Sequence, residues 1–589
     1  MAFLPTTVKE LEERGWEYVD VIFVSGDAYV DHPSFGCAVI CRYLERAGYR
    51  VAVLAQPNWQ DDLRDFKKMG QPRLCFCVSS GCMDSMVNHY TAAKRKRSDD
   101  AYTAGGQSGF RPDRATSVYS EILKRLYPSV PVLIGGIEAS MRRLAHYDYW
   151  SDTLMPSILL TSGADMLIYG MGEKVVKRIC DELKAGRKIE EITEIEQTAY
   201  LCHKPDEAKK AWADVFVPSF EQCRRDKKSQ AKSICLFEKH SNKSDDERLI
   251  QKYEKEGVYV VVNPFDRSYS SKELDDIYLL PFERKPHSKY AKRGPVPAFE
   301  MIKYSVNIHR GCFGGCAFCT IAAHQGKRII SRSRESILRE IEIISEDKDF
   351  KGYLSDLGGP SANMYMMKGK NDELCRKCLR PSCLYPSLCK NMNNDHKPLL
   401  ELYEAVRKLP YIKKAFVGSG IRYDLFDKSN YFEILCRYHV SGRLKVAPEH
   451  SSDRVLKQMR KMPFSQFVDL KKRFEQINKR YGLKQQLIPY FISSHPACEM
   501  RDMVDLASQT AALGYRLQQV QDFTPTPMTI ATETYYTGID IYTGEKVFTE
   551  KNPAAKQMQN RIFFWYKPEN RNWARNVFMK YGKQFPQQR

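Results

Sequence analysis

The sequence predicts an α/β protein: an open parallel sheet covered by helices, then a partial barrel of six strand–helix units, then a small C-terminal extension. Apolar β-branched runs alternate with helical patterns between residues 19 and 169, and the alternation resumes after Met301. A highly charged stretch separates the two series. Strand, helix, strand alternation implies parallel strands, because a parallel neighbour is reached only by a crossover that a helix supplies. At 589 residues the chain is too long for one ordinary core, so several domains are expected.

The first strand is the run at 19–25, closed by Gly26-Asp27. A helical pattern over 37–47 stops at Gly48, and a strand over 49–55 follows. Segments 73–79, 118–126, 130–134 and 166–169 continue the alternation. In layout, residues 1–189 resemble the cobalamin-binding type of Rossmann domain that often precedes a radical S-adenosylmethionine (SAM) domain. That fold's ligating motif is Asp-x-His-x-x-Gly, whereas His32 follows Asp31 directly and Gly36 stands four residues on. The displacement argues against axial ligation, so bound cobalamin is not expected and His32 reads as a loop histidine. Gly135-Gly136-Ile137-Glu138 and Gly170-Met171-Gly172-Glu173 lie at strand ends, the edge where open parallel sheets bind ligands. Neither completes a nucleotide-binding pattern, and both read as tight turns. The cluster His146-Tyr147-Asp148-Tyr149-Trp150 suits stacking on a planar substrate or packing.

Residues 190–297 form a charged connector of polar helices and loops, with mixed runs such as 239–248. A short strand at 258–263 is expected at a sheet edge. Pro-punctuated segments at 280–286 and 294–297 mark the approach to the next domain, 298–530.

That domain opens with an expected strand at 301–308, which delivers the loop Gly311-Cys312-Phe313-Gly314-Gly315-Cys316-Ala317-Phe318-Cys319. The Cys-x3-Cys-x2-Cys spacing lets three thiolates converge on one iron–sulfur cluster. Three thiolates leave one metal position open, where a closed structural site wants four. The alternative is a zinc knuckle completed by His309 or His324. At this point the chain resembles the radical SAM superfamily, in which three such cysteines hold a 4Fe-4S cluster and the fourth iron takes the methionine part of SAM. Phe318 matches that motif's aromatic position.

Later strand ends extend the resemblance. The strand at 352–357 ends in Gly358-Gly359, matching the family's Gly-Gly segment that meets the SAM amino group; its acidic residue is missing after the pair, so backbone carbonyls are expected to make the contact. A strand at 413–419 runs to Arg422, whose default is a surface salt bridge. The strand at 443–447 runs into Pro448-Glu449-His450-Ser451-Ser452, which resembles the segment of methylthiotransferase-type enzymes near the SAM ribose and implies that role for Glu449 and Ser452. Strands at 485–492 and 517–523 complete six units, the last ending Thr524-Pro525-Thr526-Pro527. Taken over nearly its whole length, the chain looks like a YgiQ family radical SAM protein. The resemblance implies an enzyme that cleaves SAM reductively to a 5'-deoxyadenosyl radical acting on an unknown substrate, with an electron donor such as flavodoxin or ferredoxin.

Within the barrel, the insertion 370–398 brings Cys375, Cys378, Cys383 and Cys389 within fifteen residues, enough to saturate zinc or an auxiliary iron–sulfur cluster, with His396 as a spare ligand. A thiol-rich loop without metal is the alternative. The other cysteines, including Cys75, Cys77 and Cys82, read as buried thiols.

The extension 531–589 starts with strand and turn chemistry, continues as a basic and aromatic helical region at 557–581, and ends in a frayed tail at 583–589. Basic residues interleaved with aromatics bind RNA in some proteins; here core packing of the aromatics is favoured. Net charge is +20, from 92 basic and 72 acidic residues, which permits a nucleic-acid partner without establishing one. An RNA-modifying, methylthiotransferase-like enzyme and a non-enzymatic iron–sulfur scaffold or electron carrier are the competing readings. Neither a signal peptide nor a membrane span is evident, so a cytoplasmic location is expected.

Overall fold

Val21–Ser25, Val51–Ala55 and Cys75–Ser79 are buried along their whole length, as strands covered on both faces must be. Val21 and Phe23 face one apolar cluster, Ile22 and Val24 the other. With Val132–Gly135 and Met166–Ile168 these strands form the parallel centre of the N-terminal sheet. This arrangement comes from a computed structural model that describes residues 3–205, 212–241, 246–426, 429–518 and 520–586. Residues 242–245 of the charged stretch, Gln519 of the expected sixth barrel strand and 587–589 of the tail lie outside the described residues.

The sheet continues into the charged connector. Thr198–Cys202 pairs antiparallel with Met166–Ile168, and beyond it come Val258–Val262, Glu247–Tyr253 and Ala213–Val217, making nine strands in a mixed sheet. Val258–Val262 therefore sits inside the sheet, because Val260 and Val262 bury on one face and Val261 on the other. The edge falls to Ala213–Val217, which is largely exposed.

The barrel pairs each strand with its neighbour in sequence. Ser305–Asn307 lies parallel to Asp356–Gly358, Tyr353–Leu354 to Lys414–Ala415, and Ile421 bridges to Val446. Arg443–Glu449, Gln486–Ser493 and Val520–Asp522 complete the series in parallel. Helices such as Arg334–Ser345, Phe464–Tyr481 and Met500–Ala512 bury Ile341, Phe467 and Val504 against one shared core.

Two segments differ from expectation. Met301 lies in the helix Pro297–Ile302, not in a strand: Pro297 occupies the first helical turn, where its fixed φ is favourable and its missing N–H costs nothing. Ile530–Thr537 is also a helix, although its Thr and Tyr residues prefer strands. The Thr529 side chain caps it by accepting from Thr532 N, and burial of Ala531, Thr534 and Tyr535 overrides the propensity. On that helix Tyr536 stacks on Tyr147, with ring centroids 4.7 Å apart, so the 146–150 cluster serves packing between the sheet and the extension. Farther on, Phe563 and Trp565 enter the barrel core. Among the described residues no helix is long and apolar enough to cross a membrane.

Candidate functional site

The cysteine loop leaves the C-terminal end of the first barrel strand, the end where parallel barrels place chemistry. Gly311, at φ +85°, turns the chain into it; a Cβ there would stand 1.8 Å from the Arg328 carbonyl oxygen. Gly314 N donates to Cys312 Sγ at 3.4 Å. Arg422 Nη1 donates to Cys316 Sγ at 3.1 Å. Contrary to the surface salt bridge expected of it, Arg422 is buried, gripped through Nε and Nη2 by Asp424 at 2.9 and 2.5 Å. Asn363 holds its backbone from both sides.

The three thiols share one electrostatic environment. Burial pushes the Cys312 thiol up, with the charge of Cys316 adding to the effect and Arg422 opposing it. Cys319 is pushed up to about 12 by burial, then by Cys316 and Cys312. A cationic metal centre removes that mutual repulsion, and N–H donors aimed at the sulfurs are what a thiolate-ligated cluster uses for support. The donor set thus fits a 4Fe-4S cluster. Among the described residues no three Cys, His, Asp or Glu side chains are gathered around a point suited to a single ion. His309 is engaged elsewhere, its Nε2 facing the Ser361 carbonyl at 2.9 Å, and His324 lines a neighbouring cavity. Burial lowers both imidazoles to about 4, so they are neutral.

Gly358 and Gly359 end the adjacent strand, and both positions exclude a side chain. A Cβ on Gly358 would lie 2.0 Å from Ser419 Oγ, and one on Gly359 2.7 Å from His309 Nε2. Sequence reasoning passed over Asp356, two residues before the pair, although its position in Asp-Leu-Gly-Gly was the available signal. Its carboxylate accepts from Gly418 N, Ser419 N and Ser419 Oγ, and so ties the second strand end to the third.

Glu449, with φ +66°, is buried near Cys319, whose thiol its charge helps to raise, and Lys461 Nζ stands 3.4 Å away. Ser452 turns from the loop: its hydroxyl donates to Asp502 at 2.7 Å. Phe318 packs edge-on to His495, with centroids 6.1 Å apart. The structure therefore gathers the three cysteines, Arg422 and Glu449, and directs Ser452 to a helix start.

Between the sheet and the barrel lies a cavity of about 570 Å³. Gly81, Gly136, Gly170 and Gly172 line it from the sheet's strand-end turns, and Arg310, Thr320, Ile321 and His324 from the barrel. The two glycine turns read from sequence as tight turns are also cavity walls. Arg310 Nη1 reaches Glu173 Oε1 at 2.5 Å across the junction. His32 is not among the lining residues; its Nδ1 accepts from Ser34 N at 3.1 Å and its ring meets Phe299 edge-on.

Residues 306–482 match the radical SAM superfamily profile. Residues 3–305 match the radical SAM N-terminal profile, and 518–584 a domain of unknown function, DUF3362. A UPF0313 protein of Bacteroides thetaiotaomicron is 55% identical over 99% of this chain and 97% of its own length. The chain belongs to the UPF0313 family of radical SAM proteins. Another UPF0313 member, from Porphyromonas gingivalis, is 54% identical over 99% of this chain and 93% of its own. A third, from Methanocella arvoryzae, is 45% identical over 96% and 93%. Among solved structures, the radical SAM methyltransferase TsrM from Kitasatospora setae, with tryptophan and a SAM analogue bound, aligns with a TM-score of 0.50. It covers 93% of the UPF0313 chain and 89% of TsrM at 13% identity, a likeness of fold. Membership of the superfamily implies a 4Fe-4S cluster and SAM.

Proposed function

We propose that this UPF0313 protein, of the YgiQ type, is a radical SAM enzyme whose substrate enters the cavity between the N-terminal sheet and the barrel. Support comes from one juxtaposition. Thr320 and Ile321, directly after Cys319, form the barrel wall of a cavity whose opposite wall is the ligand-binding edge of a parallel sheet. Cys312, Cys316 and Cys319 would hold the cluster, with SAM as its partner. When bound, the cluster supplies the electron that cleaves SAM to methionine and a 5'-deoxyadenosyl radical.

The chain's own residues position and shield. Arg422 and Asp424 fix the loop at Cys316. Gly358 and Gly359 leave backbone groups bare for the SAM amino group, with His309 and Ser419 filling the space behind. The Arg310–Glu173 pair ties the sheet to the barrel across the cavity. A low-potential protein of the flavodoxin or ferredoxin type supplies the electron.

The test is anaerobic reconstitution with iron and sulfide, then incubation with SAM and a strong reductant. Release of 5'-deoxyadenosine that disappears in Cys316→Ala supports the enzyme. Cluster assembly without SAM cleavage, across several reductants, favours a scaffold or electron carrier.

A further inference from the structure

The insertion after the second barrel strand has almost no regular structure of its own. Its base is a two-residue ribbon, Lys368–Gly369 against Met392–Asn393, and its one helix is Asp372–Arg376. A loop of this length inside a compact domain needs another anchor. Its turns bring the cysteines together in two pairs: Cys378 N donates to Cys375 O at 3.3 Å, Cys389 N to Cys383 O at 2.8 Å. Cys383 and Cys389 both pack against the apolar cluster of Phe313, Leu384 and Met392 beside the first cysteine loop.

Donors are aimed at these sulfurs. Asn391 Nδ2 lies 3.2 Å from Cys375 Sγ, and Arg380 N 3.4 Å from Cys378 Sγ. Gly369 leaves room for the first of them, since a Cβ there would stand 2.3 Å from Cys375 Sγ. Half-buried Lys327 donates to the Arg380 carbonyl, and its positive charge acts on Cys383 and Cys378. Thiolates, oriented N–H groups and a nearby cation are the surroundings of a filled metal site.

We propose that Cys375, Cys378, Cys383 and Cys389 form a second metal centre, whose four thiolates hold an auxiliary iron–sulfur cluster. It abuts the first loop. Cys383 N donates to Phe313 O at 3.1 Å, and Ser382 Oγ to Gly314 O at 2.6 Å. Gly315, at φ +60°, admits the insertion, because a Cβ there would meet the Pro381 oxygen at 2.2 Å.

The experiment uses the full chain carrying Cys312→Ala, Cys316→Ala and Cys319→Ala, so its outcome does not depend on SAM chemistry. Iron, sulfide and zinc contents and the sulfur-to-iron absorption are measured after anaerobic reconstitution with iron and sulfide. Retention of about four iron per chain supports the site. Adding Cys378→Ser and Cys383→Ser should abolish retention and absorption together. A folded triple variant, checked by circular dichroism, that keeps no iron, or that holds zinc in its place, overturns the proposal.

Discussion

Arg422 reaches from the end of the third barrel strand to the sulfur of Cys316, 3.1 Å away, while Asp424 pins its other edge. Both partners of that ion pair are buried, and Arg422 holds the Asp424 carboxyl below its usual range. Breaking a buried pair from one side leaves a bare charge behind.

Arg422→Met should therefore destabilise the apoprotein by about 3–5 kcal/mol, the usual cost of a lone buried charge. Arg422→Met combined with Asp424→Leu should recover much of the loss. Denaturant unfolding of the three proteins checks this, and single and double variants that unfold alike would refute it.

Gly359→Ala should destabilise by about 1–3 kcal/mol, as overpacking does, since its Cβ meets the His309 ring and that ring is fixed by Ser361. Gly420→Ala is the control, with nothing within 4 Å of the added atom. Melting temperatures of the two variants should separate clearly.

Glu533 gives a pH-dependent prediction. It is buried, accepts from Gln230 and from Tyr147 N, and burial raises its carboxyl to about 7. The folded state therefore favours the protonated acid. Its share of stability is complete below the ordinary carboxyl range and is lost as pH rises through about 7. Glu533→Gln should be more stable than the parent at pH 8 by about 3 kcal/mol, with the gap closing by pH 5. Thermal melts at the two pH values measure it; a gap independent of pH would contradict the assignment.

Trp565 lies in the barrel core with its ring edge-on to Phe585, at 5.7 Å between centroids. Trp565→Ala should cost about 3–5 kcal/mol. Replacing exposed Arg571 and Arg575 by Gln should leave stability nearly unchanged. Unfolding midpoints distinguish the packed aromatic from the solvated cations.

The barrel was readable from sequence because each strand end carries a distinctive polar or glycine segment, from Gly358-Gly359 to Thr524-Pro525. The outer half of the N-terminal sheet was not. Glu247–Tyr253 mixes charge with apolar residues, and its neighbour Val258–Val262 pairs on its other side with Thr198–Cys202, far back in the chain, so no local period reveals the order. Ile530–Thr537 was misread because β-propensity measures fit to a sheet surface, and its neighbours supplied a different surface. Three cysteines announced the metal loop, but Arg422 and Glu449 join it only through the fold. The cavity was invisible for the same reason: Gly136, Gly170 and Arg310 meet only when sheet and barrel close.

The hydrogen bonds that hold the cysteine loop also set an order of events in biosynthesis. Ala317 N donates to Met459 O, and Ala317 O accepts from Ala531 N. Both partners leave the ribosome long after the thiols do. A chain not yet translated as far as Met459 and Ala531 therefore lacks both of these fastenings, and the cysteine loop takes its final place only once the C-terminal segment is made.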